Sequence, residues 1–146
     1  MPVLLRQSSN GKVQPGAPGY FEATQQVRLL EVPTRLDRAE GDVHPQGNPH
    51  VQTDPLYMRV IAAALAKRFE QIDPAHAAAY AQRAKAFDDK LAQAIQHWQA
   101  EAAPLKGVNA VIYHKDWVYL FAWLGINEVA AIEPKPGVPP GGAYLA

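Results

Sequence analysis

The clearest hydrophobic pattern lies in the middle of the chain, where it predicts a helix from residue 54 to residue 72. Asp54 supplies an N-cap acceptor directly before Pro55, and proline is well tolerated at the first helical position. Beyond them, apolar residues recur at steps of three and four, as they do on one face of a helix. These residues are Met58, Ile61, Leu65, Phe69 and Ile72.

A second and longer helix is predicted from Pro74 to about Ala103. Asp73 and Pro74 repeat the capping pair of the first helix. The apolar positions that follow are Tyr80, Ala84, Phe87, Leu91, Ile95 and Trp98. Such a helix would be roughly 45 Å long at 1.5 Å per residue, well above the average helix of about 11–12 residues. One narrow apolar face over this length indicates a linking element along the outside of a larger structure.

The pattern then changes to a strand–helix–strand unit. The β-branched run of residues 108–113 predicts a buried strand, and residues 128–132 predict a second one. Between them we expect a short helix over 117–124, capped by Asp116 and ended by Gly125. The two strands should be parallel with a right-handed crossover. The aromatic residues of this helix are expected to be core: Trp117, Tyr119, Phe121 and Trp123.

The ends of the sequence predict less regular structure. The first fifty residues are rich in turn dipeptides, with candidate short strands at 12–14 and 26–32, the second of which could instead be a helical turn. After a proline-rich loop, residues 143–146 are typical of the first turn of a helix. Two parallel strands need further strands and cover on both faces. We therefore expect an α/β fold that is a fragment of something larger.

Composition excludes several classes of function. Lysine plus arginine equals aspartate plus glutamate at 14 each, and this zero net charge disfavours a nucleic-acid binder. Nothing reaches the roughly 18 apolar residues of a transmembrane helix, and the first residues carry no signal-peptide pattern. Because the chain has no cysteine, any metal site must use nitrogen and oxygen ligands.

Five histidines are the candidates for such ligands. His76 and His97 lie off the apolar stripe of the long helix, so we interpret them as surface residues. His44 and His50 flank a proline-rich loop ahead of a helix, while His114 follows a strand at the end where open α/β sheets bind ligands. No short HxxxH pair exists, so a metal site would combine distant segments. The nearest carboxylates are Asp116 and Glu133.

Four segments resemble the cluster A-I solute-binding proteins, the zinc and manganese receptors of ABC importers. Residues 47–55 (GNPHVQTDP) resemble the NPHxWxDP segment of that family, with Gln52 in place of tryptophan. Asp73-Pro74 with Tyr80 resembles the entry into its long linking helix. Residues 113–120 (YHKDWVYL) and 133–146 resemble its HxAfgYf and EPxPxxPSxAHLA segments. In the last one, Gly141-Gly142 replaces the usual serine and Tyr144 stands where histidine is common.

The resemblance implies a partial two-lobe metal receptor without catalytic activity. It implies that residues 1–72 form the end of the first lobe, 73–104 the long linking helix, and 105–146 the start of the second lobe. By motif, His50 and His114 are metal ligands, with zinc as the expected ion and manganese as the alternative. A further histidine upstream of residue 1 and an acidic residue beyond residue 146 would complete the site. The parent protein would be periplasmic and would deliver its metal ion to a membrane permease.

Two other readings stay open at this point. His50, His114 and Glu133 are also the donor set expected of a metallohydrolase, although no general base is evident. Alternatively, the chain is a non-binding interaction remnant. We expect the chain to form homo-oligomers through its incomplete sheet.

Overall fold

The computed structural model describes residues 2–34, 41, 44–133, 135 and 137–145, and it is built mainly of helices with one small sheet. Two long helices occupy the middle of the chain, and a strand–helix–strand unit follows them. The elements in chain order are α1 (Pro2–Gln7), α2 (Pro55–Ile72), α3 (Ala77–Glu101), β1 (Asn109–Ile112), α4 (Val118–Leu124), β2 (Asn127–Ala131) and α5 (Gly142–Leu145).

Helix α2 has the boundaries that its sequence predicts. The Asp54 side chain accepts a hydrogen bond from the Leu56 backbone N–H at 2.8 Å, which satisfies one donor of the first turn. Burial raises the pKa of the Asp54 carboxyl, and the Leu56 hydrogen bond acts in the opposite direction. At the other end, the Asp73 N–H bonds to the Phe69 carbonyl. The predicted helix over 54–72 is confirmed.

Helix α3 runs antiparallel to α2. Residues Pro74–His76 form a 3-10 turn before the α-helix begins at Ala77. Arg59 pairs with Asp88 at 2.6 Å, and the rings of Phe69 and Tyr80 lie 5.4 Å apart, so the later part of α2 faces the earlier part of α3. The predicted long helix is therefore confirmed. Among the described helices, none combines the length and apolar character of a membrane span.

The strand–helix–strand unit is also confirmed. The prediction that its first strand is buried is wrong, because Val111 is 60% exposed where the two-stranded sheet lacks cover on that face. β1 and β2 form a two-stranded parallel sheet in which Asn109 lies opposite Asn127 and Ile112 opposite Ala131. Helix α4 ends at Gly125, whose φ of +69° is the left-handed conformation that favours glycine at this position. Because the strands are parallel, their carboxyl ends meet at one edge of the sheet.

The buried core lies where α2, α4 and the loops before α2 meet. Val51, Ile61 and Tyr119 form its centre, and Tyr119 is only 1% exposed. Partly buried residues pack around them: Phe21, Ala23, Val27, Leu29, Leu30, Tyr57 and Met58. The core prediction is correct for Tyr119 but wrong for Trp117, which is 45% exposed. Trp117 is the N-cap of α4 and precedes the apolar face of that helix.

Neither short strand predicted near the N-terminus is present. Residues 12–14 enter a 3-10 turn, Gly11–Val13, whose N-cap Asn10 accepts a hydrogen bond from the Lys12 N–H. Gln26 ends another 3-10 turn, Ala23–Gln26, and residues 27–32 are irregular. Leu29 and Leu30 nevertheless pack against the core. Their apolar character therefore reflects burial against side chains rather than pairing in a sheet.

Candidate metal centre

Two of the five histidines come together in the structure. His50 immediately precedes the 3-10 turn Val51–Thr53, and His114 lies two residues beyond the end of β1. Their ring centroids are 5.5 Å apart and the ring planes are nearly perpendicular, at 85°. Segments far apart in sequence thus place two imidazoles side by side.

The orientation of His50 is set by Asn48. The Asn48 side-chain oxygen lies 2.9 Å from His50 Nδ1 and accepts the His50 backbone N–H at 3.0 Å. The Asn48 amide nitrogen donates to a Glu31 carboxylate oxygen at 3.0 Å and to the Lys115 carbonyl at 2.6 Å. Because both acceptors bind the amide nitrogen of Asn48, it is the side-chain oxygen that faces His50. His50 therefore carries its proton on Nδ1 and leaves the Nε2 lone pair unprotonated.

The orientation of His114 is set by Glu133. His114 Nδ1 lies 2.6 Å from a carboxylate oxygen of Glu133, which is only 13% exposed. An ionised carboxylate accepts hydrogen bonds and donates none. The hydrogen bond from His114 lowers the pKa of Glu133, so the carboxylate is ionised at neutral pH. His114 also carries its proton on Nδ1.

Asn48 joins the two halves of the site. It is buried, at 7% exposure, and its carbonyl accepts a hydrogen bond from the Tyr119 hydroxyl at 2.5 Å. The same hydroxyl accepts the Leu30 N–H at 3.0 Å, and the Asn48 N–H bonds to the Leu30 carbonyl at 2.8 Å. The loop of His50 and the helix that follows His114 are therefore connected through one amide and one tyrosine.

Gly47 permits the close approach that this network needs. A Cβ atom at position 47 would lie 2.8 Å from the Leu30 carbonyl oxygen and 2.9 Å from Leu29 Cβ. Its φ of +116° is also unfavourable for any other residue. The backbone before Asn48 can therefore lie against Leu29 and Leu30 only because residue 47 is glycine.

Charged groups surround the pair of histidines. Lys115 donates to a Glu31 carboxylate oxygen at 2.6 Å and lies 3.5 Å from Glu128. The hydrogen bond to Glu31 raises the pKa of the Lys115 ammonium. The ammonium therefore stays positively charged, and the carboxylates of Glu31 and Glu128 balance that charge. Burial lowers the pKa of His50, and the nearby His114 lowers it further. A neutral His50 is the form that a metal ion requires.

Asp116 does not cap α4 as the sequence predicts. Helix α4 has no side-chain cap, and the Asp116 backbone N–H bonds to the His114 carbonyl in a turn. One carboxylate oxygen of Asp116 is buried and makes no hydrogen bond. The Asp116 charge acts on His50 by raising its pKa, in opposition to burial. Asp116 is thus an anionic neighbour of the two histidines.

Of the other histidines, His76 and His97 pair with carboxylates elsewhere on the surface, whereas His44 is near enough to His50 to lower its pKa. His76 contacts Asp73 at 2.8 Å and His97 contacts Glu101 at 3.4 Å, and each imidazole side chain is 69% exposed, as a surface position requires. His44 is exposed in the loop before Gly47. Within the part of the chain that the structure describes, no three His, Cys, Asp or Glu residues are arranged to hold a metal ion.

The family model for the periplasmic zinc-uptake complex component A, ZnuA, matches residues 4–146. The chain belongs to the ZnuA family. The resemblance found in four sequence segments is thereby confirmed. The high-affinity zinc uptake system protein ZnuA of Brucella abortus is 31% identical over 96 residues, which cover 66% of this chain and 29% of the Brucella protein.

Solved structures support the same fold. FpvC of Pseudomonas aeruginosa, a solute-binding protein solved in complex with Mn²⁺, matches 98% of this chain at 25% identity with a TM-score of 0.69. A crystal structure of ZnuA matches 85% of the chain at 21% identity, also with a TM-score of 0.69. The chain covers 49% and 44% of those two proteins. The predicted α/β class, a partial metal-receptor fold, is confirmed, and this ZnuA-family chain spans less than half of these relatives.

Asn48 and Glu31 are the site residues that sequence reasoning missed. Asn48 lies within the NPH segment, and an asparagine two residues before a histidine can orient that histidine through its side chain. Glu31 gave no comparable signal, because it meets Asn48 and Lys115 only through the folding of an irregular segment. Its φ of +50° shows that the backbone there adopts a conformation unusual for glutamate.

Proposed function

We propose that this chain is part of the solute-binding subunit of an ABC importer, in which His50 and His114 bind a zinc ion through their Nε2 atoms. The observation that carries the proposal is the pair of adjacent imidazoles, each with its Nδ1 already engaged by another side chain. Nitrogen donors of this kind suit zinc, with manganese as the alternative ion. In this role the metal ion is cargo, and no reaction is catalysed.

The separation of the two rings is compatible with one shared ion. A tetrahedral zinc ion bound by two imidazole nitrogens at about 2.0–2.1 Å would place the ring centroids roughly 5 Å apart. The observed separation is 5.5 Å. Two imidazoles fill only half of a tetrahedral shell, so the proposal requires further donors from water or from protein outside the described residues.

The same proposal assigns roles to the three parts of the chain. Residues 1–72 would belong to the first lobe, 73–104 to the linking helix that includes α3, and 105–146 to the start of the second lobe. The whole protein would work in the periplasm and pass its ion to a membrane permease. The family description and the zinc-uptake name of the Brucella relative support this setting. Self-association through the two-stranded sheet stays a prediction.

A metal titration followed by NMR tests the proposed function. We expect zinc to saturate at one ion per chain and to shift the imidazole signals of His50 and His114 before those of His76 and His97. Calcium and magnesium should not compete, because these hard ions prefer oxygen ligands. If the surface histidines respond first, or if calcium displaces zinc, the proposal is wrong.

A further inference from the structure

Glu133 reaches His114 because the sheet pairing continues beyond the two strands. The Ile132 N–H bonds to the Ile112 carbonyl at 2.8 Å, and the Glu133 N–H bonds to the Tyr113 carbonyl at 2.9 Å. The backbone on either side of this contact is therefore held in register. Glu133 and His114 are placed side by side at the carboxyl edge of the sheet, where their side chains meet at 2.6 Å.

We propose that Glu133 is a positioning residue for metal binding, acting through His114 and not as a ligand itself. The carboxylate holds the imidazole with its proton on Nδ1 and its lone pair on Nε2. It also polarises the ring, which increases the electron density at Nε2 and makes this nitrogen a stronger donor to a cation. This inference rests on the proposed function, since it assigns the metal ion to Nε2 of His114.

The two ligands are then unequal. His50 has a neutral amide, Asn48, on its Nδ1, whereas His114 has an anionic carboxylate. A carboxylate partner stabilises the positive charge that an imidazole acquires when it donates to a metal ion, and an amide does so less. His114 is therefore the stronger of the two donors. In a hydrolase in which Glu133 binds the ion directly, this carboxylate would have to break its hydrogen bond to His114.

A purely structural ion pair between Glu133 and His114 would have different consequences. It would stabilise the loop after β2 without affecting which ring nitrogen carries the proton or how tightly zinc binds. The tautomer of His114 is thus the measurement that separates the two roles. Glu101 offers a matched control, because this exposed carboxylate contacts the imidazole of His97, which is not a proposed ligand, at 3.4 Å.

The test uses the 146-residue chain and its variants Glu133→Gln, Glu133→Ala and Glu101→Gln. Imidazole ¹⁵N spectra of the metal-free proteins report the tautomer, and competition with a chromophoric chelator reports zinc affinity. We expect Glu133→Ala to give mixed His114 tautomers and about 10–100-fold weaker zinc binding. Glu133→Gln should keep the Nδ1–H tautomer, because its amide oxygen still accepts, and should bind zinc about tenfold more weakly because the charge is lost. Glu101→Gln should match the wild type.

The inference is overturned if both Glu133 variants bind zinc within twofold of the wild type, or if Glu133→Ala leaves the His114 tautomer unchanged. Should Glu133→Ala unfold, Glu133→Gln alone still decides the effect of the charge. Absence of zinc binding in the wild type would reject the proposed function, whereas the metal-free tautomer would still decide whether Glu133 positions His114. The two failures are therefore distinguishable.

Discussion

Replacing both His50 and His114 by alanine is expected to weaken zinc binding at least about 100-fold, because loss of outer-shell partners alone typically costs 10–100-fold. Among the described residues, His50 and His114 are the two histidines whose rings are in contact, with centroids 5.5 Å apart. In the neutral form each imidazole has its lone pair on Nε2, because its Nδ1 donates a hydrogen bond to another side chain. Calorimetry or chelator competition on the 146-residue chain measures the change.

The control for this variant removes the same number of imidazoles elsewhere. His76→Ala with His97→Ala takes away two exposed rings on or next to α3, each of which pairs with a carboxylate other than Glu133. We expect zinc affinity to stay within about twofold of the wild type, because surface histidines with single carboxylate neighbours form no shared site. Equal losses in the two double variants would mean that zinc binds histidines non-specifically.

Replacing Asn48 by alanine is expected to lower the free energy of unfolding by about 2–4 kcal/mol. Its amide serves Glu31, the Lys115 carbonyl and two nitrogens of His50, all in a part-buried region. Removing it takes one hydrogen-bond partner from each of these groups, and each buried group left unsatisfied costs about 1–3 kcal/mol. Urea unfolding followed by circular dichroism measures the loss.

Asn48→Ala should also weaken zinc binding, because His50 would lose the acceptor that holds its proton on Nδ1. Asn10→Ala is the matched control: this exposed asparagine caps the turn Gly11–Val13, so its loss should cost under about 1 kcal/mol. If the two alanine variants were equally stable, Asn48 would not be the connection between the two halves of the site.

The helices could be predicted because their signals are local. An aspartate before a proline marks the start of α2 and of the turn leading into α3, and the apolar residues of each recur within a few positions. The strand–helix–strand unit could also be predicted, because Gly107 precedes β1 and Gly125 separates α4 from β2. The solvent exposure of side chains was harder to predict from sequence. Phe87 and Trp98 belong to the apolar stripe of α3, yet they are 45% and 42% exposed.

The N-terminal region shows where sequence patterns mislead. Residues 26–32 are apolar enough to suggest a strand, but Leu29 and Leu30 pack against Tyr119 and its neighbours without a partner strand. The pattern reports burial, and burial alone does not choose between a strand and an irregular segment. Asp116 is a second case in which a sequence pattern misleads. An aspartate directly before a helix is expected to cap it, but Asp116 lies in a turn and one of its carboxylate oxygens is buried.

The candidate site was predictable only in part. His50 and His114 could be chosen because they lie in recognisable segments, one before a helix and one after a strand. Their partners depend on contacts between distant parts of the chain, such as Asn48 with Lys115 and Glu31 with Lys115. No local pattern encodes such contacts, so the way each ring is oriented emerges only from the three-dimensional structure.

The most direct test of the central claim is a crystal structure of the zinc-loaded chain with anomalous data collected at the zinc edge. The account predicts one strong anomalous peak within bonding distance of the Nε2 atoms of both His50 and His114, with Glu133 still bonded to His114 Nδ1. A zinc peak elsewhere, with the two imidazoles free of metal, would contradict it.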